Sequence, residues 1–191
     1  FSAPNLGIYL KIIDPEKTLH DVLDRSANFK EAIHKFDNFD VLPSAIFNKK
    51  EINLFGLRNK IKTLKNKYDI ILIDSSPALN EETLAAMIAS DELIVVTTPD
   101  YATLSMTLKA VKLAKQRKTP INGLILNKVH NKNFELSVDD IQKTTEVPVM
   151  AVIPHDINVL KSVSSFMPLT SHKPKSKASI EYKKLAGTLI G

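Results

Sequence analysis

The chain has 191 residues, of which 43% are hydrophobic and 25% charged, and this composition is typical of a globular protein with one substantial core. It holds no cysteine, which excludes disulfides, thiolate metal sites and cysteine nucleophiles, and its five histidines lack the close helical spacing of a zinc motif. The net charge of +5 is spread over many lysines, and no apolar run approaches the length of a membrane span, so we expect a soluble cytoplasmic protein.

Short apolar runs rich in isoleucine, leucine and valine alternate with helical patterns along the chain. Runs that are apolar on both faces are typical of strands in a parallel sheet that helices cover on both sides. The weakest candidate comes first and is closed by Pro43. In chain order, the predicted strands are Phe39–Leu42, Ile70–Ile73, Leu93–Thr97, Leu124–Leu126 and Val149–Ile153.

Helical patterns separate these strands. Asn80 is a good N-cap for a helix whose first turn is acidic, and Thr98 or Asp100 suits the start of the next helix. The alternation predicts an α/β fold with an open, mostly parallel sheet and helices on both faces, in a single domain over residues 1–191. The apolar stripes that mark the predicted helices are Leu54 to Leu64, Leu84 to Ile88, Leu104 to Val111 and Ala178 to Leu189.

The first candidate site lies where the run YDIILIDSSP leaves the predicted strand Ile70–Ile73. In open α/β sheets, ligands bind outside the carboxyl ends of the strands. Asp74 at such an end could hold the water shell of Mg²⁺ beside a nucleotide, and Ser75, Ser76 and Pro77 would then begin a loop that responds to the phosphate. The alternative is an aspartate that only caps the following turn, and these residues alone do not decide between the two.

Two further candidates follow later strands. Asn127 in LILNK could match the edge of a purine with its flat amide, or could be a turn residue that satisfies its own backbone. Pro154 in VMAVIPHD could offer a rigid apolar wall to a base, although many strands simply end at proline. We interpret His155 as a surface or capping residue.

Taken in order, these segments resemble the MinD/ParA family of deviant-Walker P-loop ATPases. The resemblance covers essentially the whole chain, from FSAPNLGIYLKI at the start, through YDIILIDSSPALNEETLAAMIASDELIVVTTP, to GLILNKV and VPVMAVIPHD. It implies an ATP hydrolase with ATP and Mg²⁺ as cofactors, Asp74 bound to Mg²⁺ through water, and Ser75, Ser76 and Pro77 as the switch loop. It also implies adenine contacts from Asn127 and Pro154.

The phosphate-binding loop of that family has no counterpart in the sequence. The 191 residues contain neither GxxxxGK[ST] nor GxGxxG. The family loop, its lysine and its water-positioning aspartate would precede Phe1, so no catalytic residue can be assigned here. We therefore expect an N-terminally incomplete P-loop NTPase-like domain that lacks its first strand and P-loop, and we expect this chain alone to be inactive.

The resemblance also implies partners. We expect an ATP-dependent homodimer that acts as a spatial switch in cell division or positioning, controlled by a regulatory protein, with the MinD-like branch favoured over a DNA-binding ParA-like one. A noncatalytic interaction domain is the alternative, because Ala78 and Phe166 stand where the family commonly has glycine. A basic C-terminal surface could contact a membrane peripherally or bind DNA; its residues are Lys173, Lys175, Lys177, Lys183 and Lys184.

Overall fold

The computed structural model describes residues 5–45, 53–75 and 78–190. The chain divides into two compact units, Phe1–Ser90 and Asp91–Gly191, and each is described by itself below. The expected single domain over residues 1–191 stays a prediction.

Short helices dominate the first unit. Two of them begin with reciprocal caps: the Asp21 carboxylate accepts the Thr18 backbone N–H at 2.9 Å, and the Asn28 side chain accepts from the Glu31 N–H at 3.3 Å. The elements are α1 Asn5–Tyr9, α2 Leu19–Leu23, α3 Phe29–Ala32, β1 His34–Lys35, β2 Asp40–Val41, a 3-10 helix Leu54–Gly56, α4 Leu57–Lys62 and α5 Glu81–Ala89. The core of this unit includes Leu19, Leu57 and Ala89.

Both strands predicted in this part of the chain differ from expectation. The weak candidate Phe39–Leu42 contributes only β2, which pairs antiparallel with β1 and not with a parallel sheet. The prediction of a strand at Ile70–Ile73 is wrong, because this segment is in no strand and Leu72 is 78% exposed. A strand requires a neighbour to pair its N–H and C=O groups, and the described residues of this unit offer this segment none.

The second unit is built around a parallel sheet in the order β3-β4-β5. Its strands contain the three runs predicted as strands after residue 90, although β4 extends three residues beyond either end of its predicted core. Its elements are β3 Leu93–Thr97, α6 Tyr101–Arg117, β4 Ile121–Val129, α7 Val138–Thr145, β5 Val149–Pro154, α8 Ile157–Ser164, α9 Leu169–His172 and α10 Lys177–Ile190.

Helices cover both faces of this sheet, as predicted. On one face α6 and α7 pack on β4, and their buried side chains join Leu124 and Leu126 in one core cluster. On the other face α8, α9 and α10 pack on Ile125 and Ile153 in a second cluster. The alternation of Leu124, Ile125 and Leu126 between the two clusters is the period of two that defines a strand buried on both sides.

Local signals place the helix starts. The Asn80 side chain accepts the Thr83 N–H at 3.1 Å and begins α5, and Asp100 accepts the Thr103 N–H at 2.9 Å and begins α6, so both predicted caps are confirmed. A third feature is the close approach of β4 and β5 at Gly123, where an added Cβ would lie 3.1 Å from the Pro148 carbonyl oxygen. Any other residue would place its Cβ in this close contact, so the packing of the two strands favours glycine here.

Candidate nucleotide-binding site

Asp74 lies in a segment of the first unit that belongs to no helix or strand, and it is exposed to solvent. Within the described part of the chain it accepts no hydrogen bond, and the turn that it could cap includes residues outside the described ranges, so the capping alternative stays open. A free, exposed carboxylate is the donor type that holds the water shell of Mg²⁺. Ser75 is also exposed, whereas Ser76 and Pro77 lie outside the described residues.

Asn127 lies inside β4 and not at its end, contrary to the prediction. Its Oδ1 accepts the N–H of Lys128 at 2.9 Å, and Lys128 adopts the left-handed backbone conformation with φ of 56°. The pairing of β4 with β5 shifts register between Leu126 and Val129, so Asn127 occupies a β-bulge. The side-chain oxygen serves the backbone, while the amide nitrogen donates to no group in the described ranges.

Pro154 ends β5 as predicted and lines a cavity at the carboxyl ends of β4 and β5. The cavity has a volume of about 310 Å³, which places it at the lower end of the range for small-molecule sites. It is lined by Val129, Asn131, Val152, Pro154, Lys177, Ile180 and Glu181. Apolar walls with an amide, an ammonium and a carboxylate at the rim are suited to a flat, polar-edged ligand. Asn127 is not in the lining.

The loop after β4 is held in a fixed shape beside this cavity. The Glu135 carboxylate accepts the N–H groups of His130 at 2.9 Å and Lys132 at 3.1 Å, and Asn131 between them has φ of 55°. Burial is the largest single influence on the pKa of Glu135 and raises it, but the backbone hydrogen bonds together outweigh burial, so the pKa lies below its ordinary value. The closed loop turns Asn131 toward the cavity.

Asp156, two residues after Pro154, connects two helices. Its carboxylate caps α8 by accepting the Asn158 N–H at 2.9 Å and accepts the Ala178 N–H of α10 at 3.3 Å. The hydrogen bond from the Asn158 backbone is the main cause that lowers the pKa of Asp156. This contact fixes the start of α10, the helix that carries Lys177 and Glu181.

His155 is exposed and stacks on His130, with ring centroids 4.5 Å apart, and its backbone N–H donates to the Val129 carbonyl at 2.8 Å. It belongs to the surface, as predicted. The structure brings Pro154 together with Asn131 and Glu181, which the sequence analysis did not single out, and with Lys177, which it had assigned only to the basic C-terminal surface. The N-cap pattern of Asp156 before an apolar run could have revealed that residue, whereas Lys177 reaches the cavity only because α10 folds back on β5.

The described residues lack two features, a metal-binding cluster and a membrane-spanning helix. They contain no cluster of three or more histidine, aspartate or glutamate side chains that could hold a metal ion unaided. Mg²⁺ normally keeps several waters and shares its coordination with substrate phosphates, so one carboxylate such as Asp74 fits its chemistry. In the same part of the chain, each helix is too short or too polar to cross a lipid bilayer.

Sequence comparison relates this chain to ATP-binding proteins. An AAA domain family matches residues 4–124, which is more than half of the chain. An ATP-binding protein of Methanocaldococcus jannaschii is 33% identical over 190 residues, covering 98% of this chain and 72% of the relative. The septum site-determining protein MinD of Bacillus subtilis is 25% identical over 183 residues, covering 91% of this chain and 68% of its own.

Structural comparison gives the same relationship. The cell division ATPase MinD of Pyrococcus furiosus superposes with a TM-score of 0.91 at 33% identity, over 98% of this chain and 81% of that protein. MinD of Pyrococcus horikoshii in complex with Mg-ADP gives a TM-score of 0.90 at 33% identity, over 98% and 79% of the two chains. The fold is therefore that of the MinD P-loop NTPases, and the chain belongs to the MinD/ParA family of deviant-Walker ATPases.

Proposed function

We propose that the intact protein is a MinD-like ATPase that binds Mg-ATP, dimerises in its ATP-bound form and acts as a spatial switch in cell division or positioning of cellular components. The observation that carries the proposal is the cavity beside Pro154, at the carboxyl ends of two parallel strands of a fold that closely matches a MinD structure holding Mg-ADP. This is the place where an open α/β sheet binds a nucleotide.

In this proposal different residues contact the base, the metal ion and the phosphates of the nucleotide. Pro154 and Val152 give the adenine an apolar wall, and the Asn127 amide nitrogen donates toward the edge of the base, since its oxygen is used by Lys128. Asp74 orients waters of the Mg²⁺ shell, and Ser75, Ser76 and Pro77 form the loop that senses the γ-phosphate. Mg²⁺, when bound, neutralises charge that develops on the phosphates.

The proposed hydrolysis requires a phosphate-binding loop that these 191 residues do not contain as a sequence motif. We infer that this chain alone binds ATP weakly, because such a loop provides most of the contacts with the triphosphate. We place the protein in the cytoplasm, where a regulatory protein controls its rate of ATP hydrolysis. The basic C-terminal surface provides a peripheral contact with a membrane or with DNA.

Mg²⁺-dependent ATP hydrolysis by the intact protein tests the proposal. Asp74→Ala is expected to lower turnover at saturating Mg²⁺ by more than about 100-fold, because a metal-positioning group contributes several kcal/mol to the transition state. The matched control is Asp69→Ala, which removes an equally exposed carboxylate from the same segment. Turnover that stays unchanged in Asp74→Ala, or that falls equally in both variants, rejects the role of Asp74.

The second candidate function is a noncatalytic interaction domain. Phe166 favours it, because this residue has φ of 52°, a conformation that glycine adopts freely and a bulky side chain adopts at a cost. An intact protein that binds no Mg-ATP in calorimetry would favour this second function over the ATPase.

A further inference from the structure

A second cavity lies at the opposite edge of the sheet from Pro154, at the amino ends of β4 and β5. Its volume is about 360 Å³, which is sufficient for a small molecule. The residues around it come from the ends of α6 and α7 and from the segments that lead into the two strands. Besides two prolines, they are Lys115, Lys118, Thr119, Ile121, Glu146 and Val147. The cavity shares no residue with the proposed nucleotide site.

Charged residues end both helices beside this cavity, in a backbone conformation that suits glycine. Lys118 follows α6 with φ of 56°, and Glu146 follows α7 with φ of 57°. After the last turn of a helix this left-handed conformation is usually adopted by glycine, because a Cβ makes it unfavourable. Two charged side chains are therefore kept here at a cost to stability, and both line the same cavity. Such a cost is typical of positions whose side chains serve a function.

These charged groups keep binding capacity toward a ligand. Glu146 Oε2 pairs with Lys115 Nζ at 2.7 Å, whereas Oε1 of the same carboxylate accepts no hydrogen bond from a group in the described ranges. In the same part of the chain Lys118 forms no ion pair, and the partly buried Thr119 hydroxyl forms no hydrogen bond. The cavity therefore offers an ammonium and a hydroxyl as donors and a carboxylate oxygen as an acceptor.

The rest of the lining is apolar, and the helix ends add a partial charge. Val147 is 4% exposed, Ile121 is partly buried, and Pro120 and Pro148 complete this part of the lining. Both α6 and α7 end at this edge, and the carboxyl end of a helix carries a partial negative charge. A ligand with only a carboxylate would be repelled by the helix ends, and a ligand with only an amine would be repelled by the lysines. A ligand that carries both charges is attracted by both sets of groups.

We propose that this cavity binds a free α-amino acid with an apolar side chain. The carboxylate of the ligand accepts hydrogen bonds from Lys118 and Thr119, and its ammonium donates to Glu146 Oε1. The apolar side chain lies against Val147 and Ile121. The end of a peptide carries only one of the two charges on its last residue, so a free amino acid fits better. The inference does not depend on nucleotide binding or on ATP hydrolysis.

Calorimetric titration of the intact protein with L-leucine tests the proposal, and three analogues show which group of the ligand is read. Leucinamide lacks the carboxylate, 4-methylpentanoate lacks the amine, and glycine lacks the apolar side chain. L-leucine is expected to bind saturably. Each analogue should bind about tenfold more weakly or worse, because it loses either a charge-assisted hydrogen bond or the burial of an apolar group.

Two variants separate binding from a structural role of the same residues. Lys118→Gly and Glu146→Gly should each weaken L-leucine binding about fivefold or more, because each removes a charged partner of the ligand. Neither should lower the temperature of thermal unfolding, since glycine suits the left-handed conformation at both positions and an exposed ion pair contributes little to stability. Residues that served only to connect the helix ends would show the reverse, a loss of stability with no change in binding.

The matched control is Arg25→Gly in the first unit. Arg25 is also an exposed cation with a left-handed backbone, with φ of 68°, but it does not line the cavity. This variant should bind L-leucine like the unaltered protein.

Several results would overturn the amino-acid proposal. These are no saturable binding of L-leucine, binding of leucinamide or 4-methylpentanoate as tight as that of L-leucine, or unchanged affinity in both cavity variants. Equal weakening in Arg25→Gly would also reject it. Saturable L-leucine binding with the expected losses, in an intact protein that binds no Mg-ATP, would support this site and reject only the ATPase proposal.

Discussion

Two apolar segments of similar composition have opposite fates in this chain. Leu126 in β4 is 1% exposed and pairs with Thr97 on one side and Val152 on the other, whereas Leu72 in the run Ile70–Ile73 is 78% exposed and belongs to no strand. Both runs predict a buried strand. The difference teaches that an apolar run determines the preference for a strand, while the neighbouring strands determine whether the strand forms.

The first prediction tests this comparison where the expected difference in stability between the two segments is largest. Leu126→Ala should lower the free energy of unfolding by about 2–5 kcal/mol, because it removes a fully buried side chain and leaves a cavity. Leu72→Ala in the same chain should change it by less than about 0.5 kcal/mol, as is usual for an exposed position. Urea denaturation of both variants measures the two values.

Equal losses in these two variants would contradict the comparison. They would mean that Leu72 is buried in the protein that unfolds, and that the segment Ile70–Ile73 has found a partner. Adding the intact protein as a third sample sharpens the test, because a strand that pairs there would raise the cost of Leu72→Ala.

The second prediction concerns how closely β4 and β5 pack. Gly123→Ala should lower the free energy of unfolding by about 1–3 kcal/mol, since the added methyl group meets the Pro148 carbonyl and the Met150 side chain at 3.1 Å. Gly187→Ala in α10 meets no atom within 4 Å and should instead stabilise the protein by about 0.5–1 kcal/mol. Opposite signs in thermal unfolding confirm the contrast, and a neutral Gly123→Ala would contradict it.

Periodicity and caps were enough to predict the three strands of the second unit and its helices α6 and α10, whereas α7, α8 and α9 were not predicted. Three predicted strands lie within β3, β4 and β5, and Asp100 begins α6 as expected. Prediction from sequence failed where the local structure depends on contacts with residues that are distant in the sequence. The bulge at Asn127 arises from the register between β4 and β5, which no run of residues within β4 encodes.

The candidate site likewise has one part that the sequence predicted and one part that it did not. Pro154 was predictable because a proline after an apolar run ends a strand by itself. The cavity that it lines was not, because Lys177 reaches it through the return of α10 and Asn131 through the loop that Glu135 holds. The roles of Asp74, Asn127 and Pro154 toward a nucleotide stay predictions.

The third prediction uses the first unit, where a buried imidazole holds a loop. His20 Nδ1 accepts the Ala45 N–H at 3.1 Å, and burial is the main cause that lowers the pKa of His20 below its ordinary 6.5. The nearby carboxylates Asp21, Asp24 and Glu82 act in the opposite direction and do not outweigh burial.

Folding favours the neutral form of the His20 imidazole, and this preference determines the sign of the pH effect on stability. Between the folded and the ordinary pKa the unfolded chain binds more protons, so the stability from His20 is complete above about pH 6.5 and is lost as pH falls through the folded value. Urea midpoints from pH 8 to pH 5 should show this decline. His20→Gln keeps an acceptor without a titrating group, and it should remove the decline. An equal decline in the variant would show that another group causes it.

The last prediction separates the two roles of Asn127, one toward the backbone and one toward a base. Asn127→Ala removes the acceptor of the Lys128 N–H and should cost about 0.5–1.5 kcal/mol of stability, the usual net value of a hydrogen bond. Asn127→Asp keeps an acceptor oxygen and removes only the amide donor, so its stability should stay closer to that of the unaltered protein.

If the amide nitrogen recognises adenine, both variants of the intact protein should bind ATP roughly tenfold more weakly and lose part of the preference for ATP over GTP. The reason is that a site built on hydrogen bonds discriminates between ligands by leaving its own groups unpaired when the wrong ligand binds. Calorimetric titration of both nucleotides against the three proteins measures this. If ATP and GTP affinities stay as in the unaltered protein while Asn127→Ala alone loses stability, Asn127 serves only the bulge in β4, and the base must be read by groups that line the cavity beside Pro154.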